Sequence, residues 1–170
     1  TFATSDIVLK REENWEPRGK EIVNRSSIEE IRQALNDEVE DGIAEIEQVG
    51  DSVLIRLTRA DSFLSGQAKL SGNFEATLLR VGNALGKTRG IIRIEGHTDN
   101  QMVGFSRTFR SNFDLSAARA ASVADFLVRE TSIQNGRLTI SGLADSKPIG
   151  DNATAKGRAT NRRIEVYLDE

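Results

Sequence analysis

The chain contains no cysteine. That removes a thiolate nucleophile, a disulfide framework and any cysteine-based zinc site. Histidine occurs once, as His97. A zinc ion usually takes three or four protein ligands, so His97 with Asp99 two residues on does not make a site, and no metal or other cofactor is expected. No run of apolar residues approaches the roughly 20 that a membrane span requires, and no signal peptide is visible. The chain opens on Thr1 and not on methionine, which we read as a soluble portion of a longer protein. Charge of one sign is also lacking: 23 basic and 26 acidic residues leave a net charge of -3. That balance gives no footprint for nucleic acid or an anionic membrane surface. There is no G-x-S-x-G elbow, and nothing marks two carboxylates as a hydrolytic pair, so an enzyme is not expected.

What is present is an ordinary globular composition, 38% hydrophobic and 29% charged over 170 residues. The length suits one domain of roughly 100 to 150 residues with an extension. Residues 1–25 mix charges without a clear period around Trp15 and Pro17 and read as an arm, with a short ordered piece expected around Ile7 to Leu9. Ser27 and Glu30 have capping-box spacing, and Ile28, Ile31, Leu35 and Val39 recur at helical intervals up to Gly42. Two short strands, "IAEIEQV" and "SVLIRLTR", flank a Gly50-Asp51 turn. The stripe Phe74, Leu78, Val81 and Leu85 predicts a helix over 72–85, with Ser71 before it and Gly86 after. "GIIRIEGHT" reads as a strand, and "NQMVGFSRTFRSNF" as a polar loop long enough to suspect function. A third helix is expected from Asp114 or Ser116, a strand over 137–144, a loop with a short helix in "DNATAKGRATN", and a closing strand in "RRIEVYL". The order predicts an α/β sandwich: one mixed β-sheet with helices packed on one face.

His97 is expected to be structural, its ring bonded to a backbone carbonyl at the strand end. The basic residues Lys156, Arg158, Arg162 and Arg163 alternate with Thr, Asn and Gly and read as a solvated loop and strand edge. Arg119, early in the third helix, shares a face with Leu115, Ser122 and Phe126. A partly buried guanidinium there needs a partner, and Asp99 at a strand end is a candidate. Arginine, free helix-terminal amides and an Asp can together hold a group carrying both carboxylate and ammonium. A plain Asp99–Arg119 ion pair that only fixes the fold accounts for the same residues equally well.

"FLSGQAKLS", "IRIEGHTDN", "NFDLSAARAASVADFL", "RLTISGLADSKPIGDN" and "GRATNRRIEVYL" occur in this order over about residues 60 to 168. Together they resemble an OmpA-like peptidoglycan-binding domain. The N-x-x-L-S-x-x-R-A-x-x-V pattern is carried by Asn112, Leu115, Ser116, Arg119, Ala120 and Val123, and the closing N-R-R-[IV]-E by Asn161 to Glu165. Within that family "GHTDNQ", the insertion after it and "GLADSKPIGDN" are similar to flagellar stator B-subunits of the MotB/PomB type. So is the helix-plus-hairpin before the domain. The implied organisation is an arm (1–25), a helix and β-hairpin extension (26–60) and the OmpA-like domain (61–170).

The resemblance implies a non-catalytic periplasmic domain that binds the diaminopimelate of a peptidoglycan stem peptide and anchors a motor stator to the cell wall. Asp99 and Arg119 would be the central pair, with Thr98, Asn100, Asn112, Leu115 and Arg163 around them. Further implications are a homodimer and a stator A-subunit of the MotA/PomA type, met through a transmembrane part. The chain would be the periplasmic domain of a single-pass inner-membrane protein of a Gram-negative bacterium. The alternative is a wall anchor of another envelope protein, an outer-membrane lipoprotein or a non-flagellar ion-driven motor. Phe113 and Asp114 depart from the family, standing where a Trp-Glu or Trp-Asp pair is common. Phe105 and Phe109 lie in the insertion without a counterpart.

Overall fold

The computed structural model describes residues 27–58, 62–64, 66–103 and 108–170. The arm over 1–25, the piece around Ile7 to Leu9 and Phe105 lie outside them. The first apolar stripe forms α1 (27–34) and α2 (Asn36–Glu40). Leu35, at φ -113° and ψ 23°, leaves the helical region and splits what the spacing predicts as one helix. Ile28, Ile31 and Leu35 are buried, whereas Val39 is exposed. Ser27 Oγ donates to Glu170 Oε1 at 3.0 Å, tying α1 to the other end of the chain.

The hairpin forms as expected, with β1 (Ala44–Val49) and β2 (Ser52–Leu57) joined by a two-residue turn in which Gly50 takes φ 59°. The second stripe becomes α3 (Gly72–Leu85), capped by Ser71 Oγ, which accepts the Phe74 N–H at 3.2 Å. β3 (Ile91–Gly96) follows, then α4 (Asn112–Glu130). α4 begins earlier than the sequence predicts because Ser111 is its cap: Ser111 Oγ accepts the Asp114 N–H at 3.2 Å. The Asp114 carboxylate turns back to accept the Arg110 N–H at 3.0 Å. A 3-10 turn (Asn135–Arg137) takes the start of the strand expected over 137–144, leaving β4 as Leu138–Gly142. The short helix is α5 (Ala155–Asn161), and β5 (Ile164–Asp169) closes the chain.

The sheet order is β1-β2-β5-β3-β4, antiparallel except for the β3–β4 pair. The last strand thus enters the middle of the sheet, between the hairpin and β3. Strand residues such as Val53, Ile55, Ile92, Ile94, Val166 and Leu168 point to one face. There they meet the apolar sides of α1, α3 and α4 in a single core. The hairpin residues Ala44 and Ile46 belong to the same core. The register places Glu45, Arg56, Glu165 and Glu95 side by side on the other face across four strands.

Candidate functional site

Two glycines set the geometry. Gly96 and Gly142 face each other at the ends of the parallel strands β3 and β4. A Cβ on Gly96 would fall on the Ser116 carbonyl, and one on Gly142 on the Ala117 backbone. Their lack of side chains lets the first turns of α4 rest directly on the strand ends. Ser116 Oγ accepts the Ala144 N–H at 3.1 Å. Ala144, held at φ 50°, in turn accepts the Thr98 N–H through its carbonyl at 2.9 Å. The segment after β3 is therefore fixed against both α4 and the loop after β4, and it delivers Asp99 to this junction.

Asp99 is buried and uses both carboxylate oxygens within the protein. Oδ1 accepts the Gln101 N–H at 2.9 Å. Oδ2 accepts Arg162 Nη1 at 2.5 Å. Arg119 does not touch Asp99. Its Nε donates to the Gln67 carbonyl at 3.0 Å, and its guanidinium lies over the Phe63 ring, 4.8 Å from the centroid. Among the described residues no carboxylate lies within ion-pair distance of Arg119, so the direct Asp99–Arg119 pair is not formed. The two still share one electrostatic environment. Burial pulls the Arg119 guanidinium below its ordinary value, the charge of Arg162 lowers it further, and Asp99 acts in the opposite direction.

The other residues implied by the resemblance divide into two groups. Asn112 knits the loop to the start of α4: its Nδ2 donates to the carbonyls of Asp99 (3.3 Å) and Gln101 (3.0 Å), and its Oδ1 accepts the Val103 N–H at 3.1 Å. Asn100 N–H donates to Asn152 Oδ1 at 3.4 Å. Thr98 is buried with its hydroxyl on the Asp99 carbonyl at 2.9 Å, and Leu115 is buried beneath the first turn of α4. Arg163 lies apart from these. Its guanidinium donates to Glu165 Oε1 at 2.8 Å and to the carbonyls of Asn161 (3.2 Å) and Lys147 (3.0 Å). Arg162, not Arg163, reaches Asp99. α5 explains how: Asn161 is wholly buried, its side chain bonded to Ile149, Gly150 and Asn152. That anchors the helix end from which Arg162 projects. The alternation of Ile164, Val166 and Leu168 carries the signal that separates the two arginines, since it sends Arg163 to the same face as Glu165.

His97 also differs from expectation. Its ring meets carboxylates, not a backbone carbonyl. Nε2 lies 3.3 Å from Glu165 Oε2 and 3.7 Å from Glu95 Oε2, without a formed hydrogen bond, and Nδ1 has no partner among the described residues. The register sets the two glutamates directly opposite, a repulsive arrangement. Arg93 at 2.5 Å holds Glu95, while Arg163 and Arg56 hold Glu165. Burial alone would push the Glu165 carboxyl up, but His97, Arg163 and Arg56 together hold it well below the usual carboxylate range. Burial, with Glu165 accepting its O–H at 2.9 Å, pushes the Tyr167 phenol up to about 12. Glu95, His97 and Glu165 offer three ligand atoms within 4.8 Å of one another, the one such group among the described residues. Three guanidiniums already supply positive charge to it, so it reads as a charge layer within the fold.

The protein-family comparison matches residues 62–162, more than half of the chain, to the OmpA family. The chain belongs to that family. Motility protein B of Bacillus subtilis is 32% identical over 126 residues, 73% of this chain and 48% of its own length. Among solved structures, the cell wall anchor of the type VI secretion system (T6SS) of Pseudomonas aeruginosa is 34% identical. It covers 82% of this chain and 96% of its own, with a TM-score of 0.76. A MotB-like protein from Desulfovibrio vulgaris has a TM-score of 0.81 at 24% identity, over 90% of this chain and 99% of that one, a likeness of fold. The chain spans about half or less of the length of the first curated relatives it matches, 48%, 20% and 48%. No described helix is long and apolar enough to cross a membrane.

Proposed function

We propose that this chain is a non-catalytic cell-wall anchor that binds the diaminopimelate end of a peptidoglycan stem peptide. The observation that carries the reading is one carboxylate, Asp99, set in a common field with two guanidiniums, Arg119 and Arg162. Asp99 takes the ligand's ammonium, and Arg119, which has no carboxylate of its own among the described residues, takes the carboxylate. Asn112, Thr98, Asn100 and Leu115 hold these groups in place. No bond is made or broken, so the site needs neither a base nor a metal. Each charge-assisted hydrogen bond contributes roughly 1.5–3 kcal/mol, and after ordering costs a single stem is bound at roughly millimolar to micromolar affinity. The wall is a polymer, so a dimer engaging two stems gains residence through avidity.

The anchored machine is a flagellar motor stator. Likeness to Motility protein B supports that reading, and with it go a homodimer, a stator A-subunit as partner and a periplasmic position below an inner-membrane span. The same anchor would serve another envelope assembly, a reading favoured by the identity with the secretion-system wall anchor. The test is co-sedimentation with insoluble peptidoglycan, competed by soluble meso-diaminopimelate. Retention that falls as the competitor rises is expected. Retention indifferent to it, or turnover of muropeptides by the purified chain, would overturn the reading.

A further inference from the structure

Arg162 and Arg163 are adjacent, yet only one of them can move. The Arg163 side chain is 2% exposed and makes three bonds that leave it no freedom. The Arg162 side chain is 41% exposed and among the described residues makes one bond, to Asp99 Oδ2. Its backbone is fixed, the N–H donating to the Arg158 carbonyl at 3.1 Å. The guanidinium can therefore swing on a rigid base.

Its present position matters for what the site accepts. Asp99 Oδ1 is committed to the loop through Gln101. Oδ2 is the oxygen held by an exposed side chain, so a ligand ammonium arriving from solvent meets it where Arg162 Nη1 now stands. Among the described residues the site carries one surplus positive charge: two guanidiniums face one carboxylate. A bare alkylammonium that displaces Arg162 adds a second surplus charge and leaves both arginines uncompensated. An ammonium with a carboxylate beside it adds none and gives the released guanidinium a new partner.

We propose that Arg162 is a specificity-determining residue. It holds the ammonium seat on Asp99 until a ligand arrives and turns to the ligand's carboxylate, next to Arg119, on binding, so that the site takes zwitterionic amino-acid ends and rejects bare amines. The inference rests on the reading of the site given above. The chemistry it separates is that of stem peptides whose third residue is diaminopimelate, with ammonium and carboxylate at its far end, from those with lysine, which ends in an ammonium alone.

The experiment titrates the chain with two soluble tetrapeptide stems that differ only in that third residue, by calorimetry or NMR shift changes. Wild type, Arg162→Gln and Arg162→Lys are compared, with circular dichroism to follow the fold. Wild type is expected to prefer the diaminopimelate stem by about tenfold or more, one charge-assisted hydrogen bond's worth. Arg162→Gln is expected to bring the two affinities together, weakening the diaminopimelate stem and strengthening the lysine stem. Arg162→Lys keeps a cation for the seat and is expected to restore most of the preference. An unchanged ratio in Arg162→Gln overturns the proposal. So does equal loss of both stems, which would make Arg162 only a support for Asp99. A wild type that binds neither stem overturns the proposed function itself, and the inference with it.

Discussion

His97 and Asp99 are two residues apart, and Arg163 and Arg162 are neighbours, yet the two pairs have opposite fates. His97 and Arg163 belong to a buried layer in which Glu165 is held from several sides. Asp99 and Arg162 belong to a site in which, among the described residues, positive charge exceeds negative and one partner is exposed. The difference arises from where the regular structure stops. β3 ends at Gly96, and α5 hands over to β5 at Arg162. Arg163 is the last residue the strand alternation places with Glu165, and Arg162 the first it leaves free. The same two short motifs thus supply a rigid frame and an incompletely satisfied site resting on it.

The largest expected contrast lies between the two arginines. Arg163→Ala removes a buried guanidinium that serves Glu165 at 2.8 Å and the carbonyls of Asn161 and Lys147, leaving Arg56 on Glu165, and is expected to cost about 3–5 kcal/mol in chemical denaturation, the usual result of breaking a buried pair. Arg162→Ala is expected to stay within about 1 kcal/mol, because its pair is partly exposed and solvent-screened. Equal losses would erase the distinction between frame and site. Next comes the packing that brings them together. Gly96→Ala drives a methyl against the Ser116 carbonyl, with an expected cost of about 1–3 kcal/mol and a loss of wall binding beyond what the unfolded fraction explains. A variant that keeps both would show that α4 need not rest on the strand end.

The smallest effect is with pH. Glu165 and Asp169 both have carboxyls held below their ordinary values, by contacts that outweigh burial. A carboxylate depressed in the folded state binds protons more readily when unfolded. Its contribution is present above the ordinary carboxylate pKa of about 4 and is lost as pH falls below it. Stability is therefore expected to decline steadily below about pH 4, and the slope to shrink in Glu165→Gln. A flat profile would mean that the buried layer is not charged as described.

Much of this was legible in the sequence, and the failures have physical causes. α3 follows from its cap and stripe because both signals are local. The convergence of Asp99 and the start of α4 is what the OmpA-like motifs imply, but direct contact between Asp99 and Arg119 does not follow, since side-chain reach depends on how α4 sits on Gly96 and Gly142. The start of α4 moved to Asn112 because Ser111 competes with later residues for the cap, and spacing does not rank them. The partners of His97 depend on the register of β3 against β5, which joins residues some seventy positions apart.

The proposed function rests on Asp99 and Arg119 holding the two charges of a stem-peptide end. Retention on insoluble peptidoglycan, measured for wild type beside the near-isosteric Asp99→Asn and Arg119→Gln, tests it most directly. Wild type in the pellet, with both folded variants in the supernatant, is the result expected. Variants that sediment like wild type would contradict it.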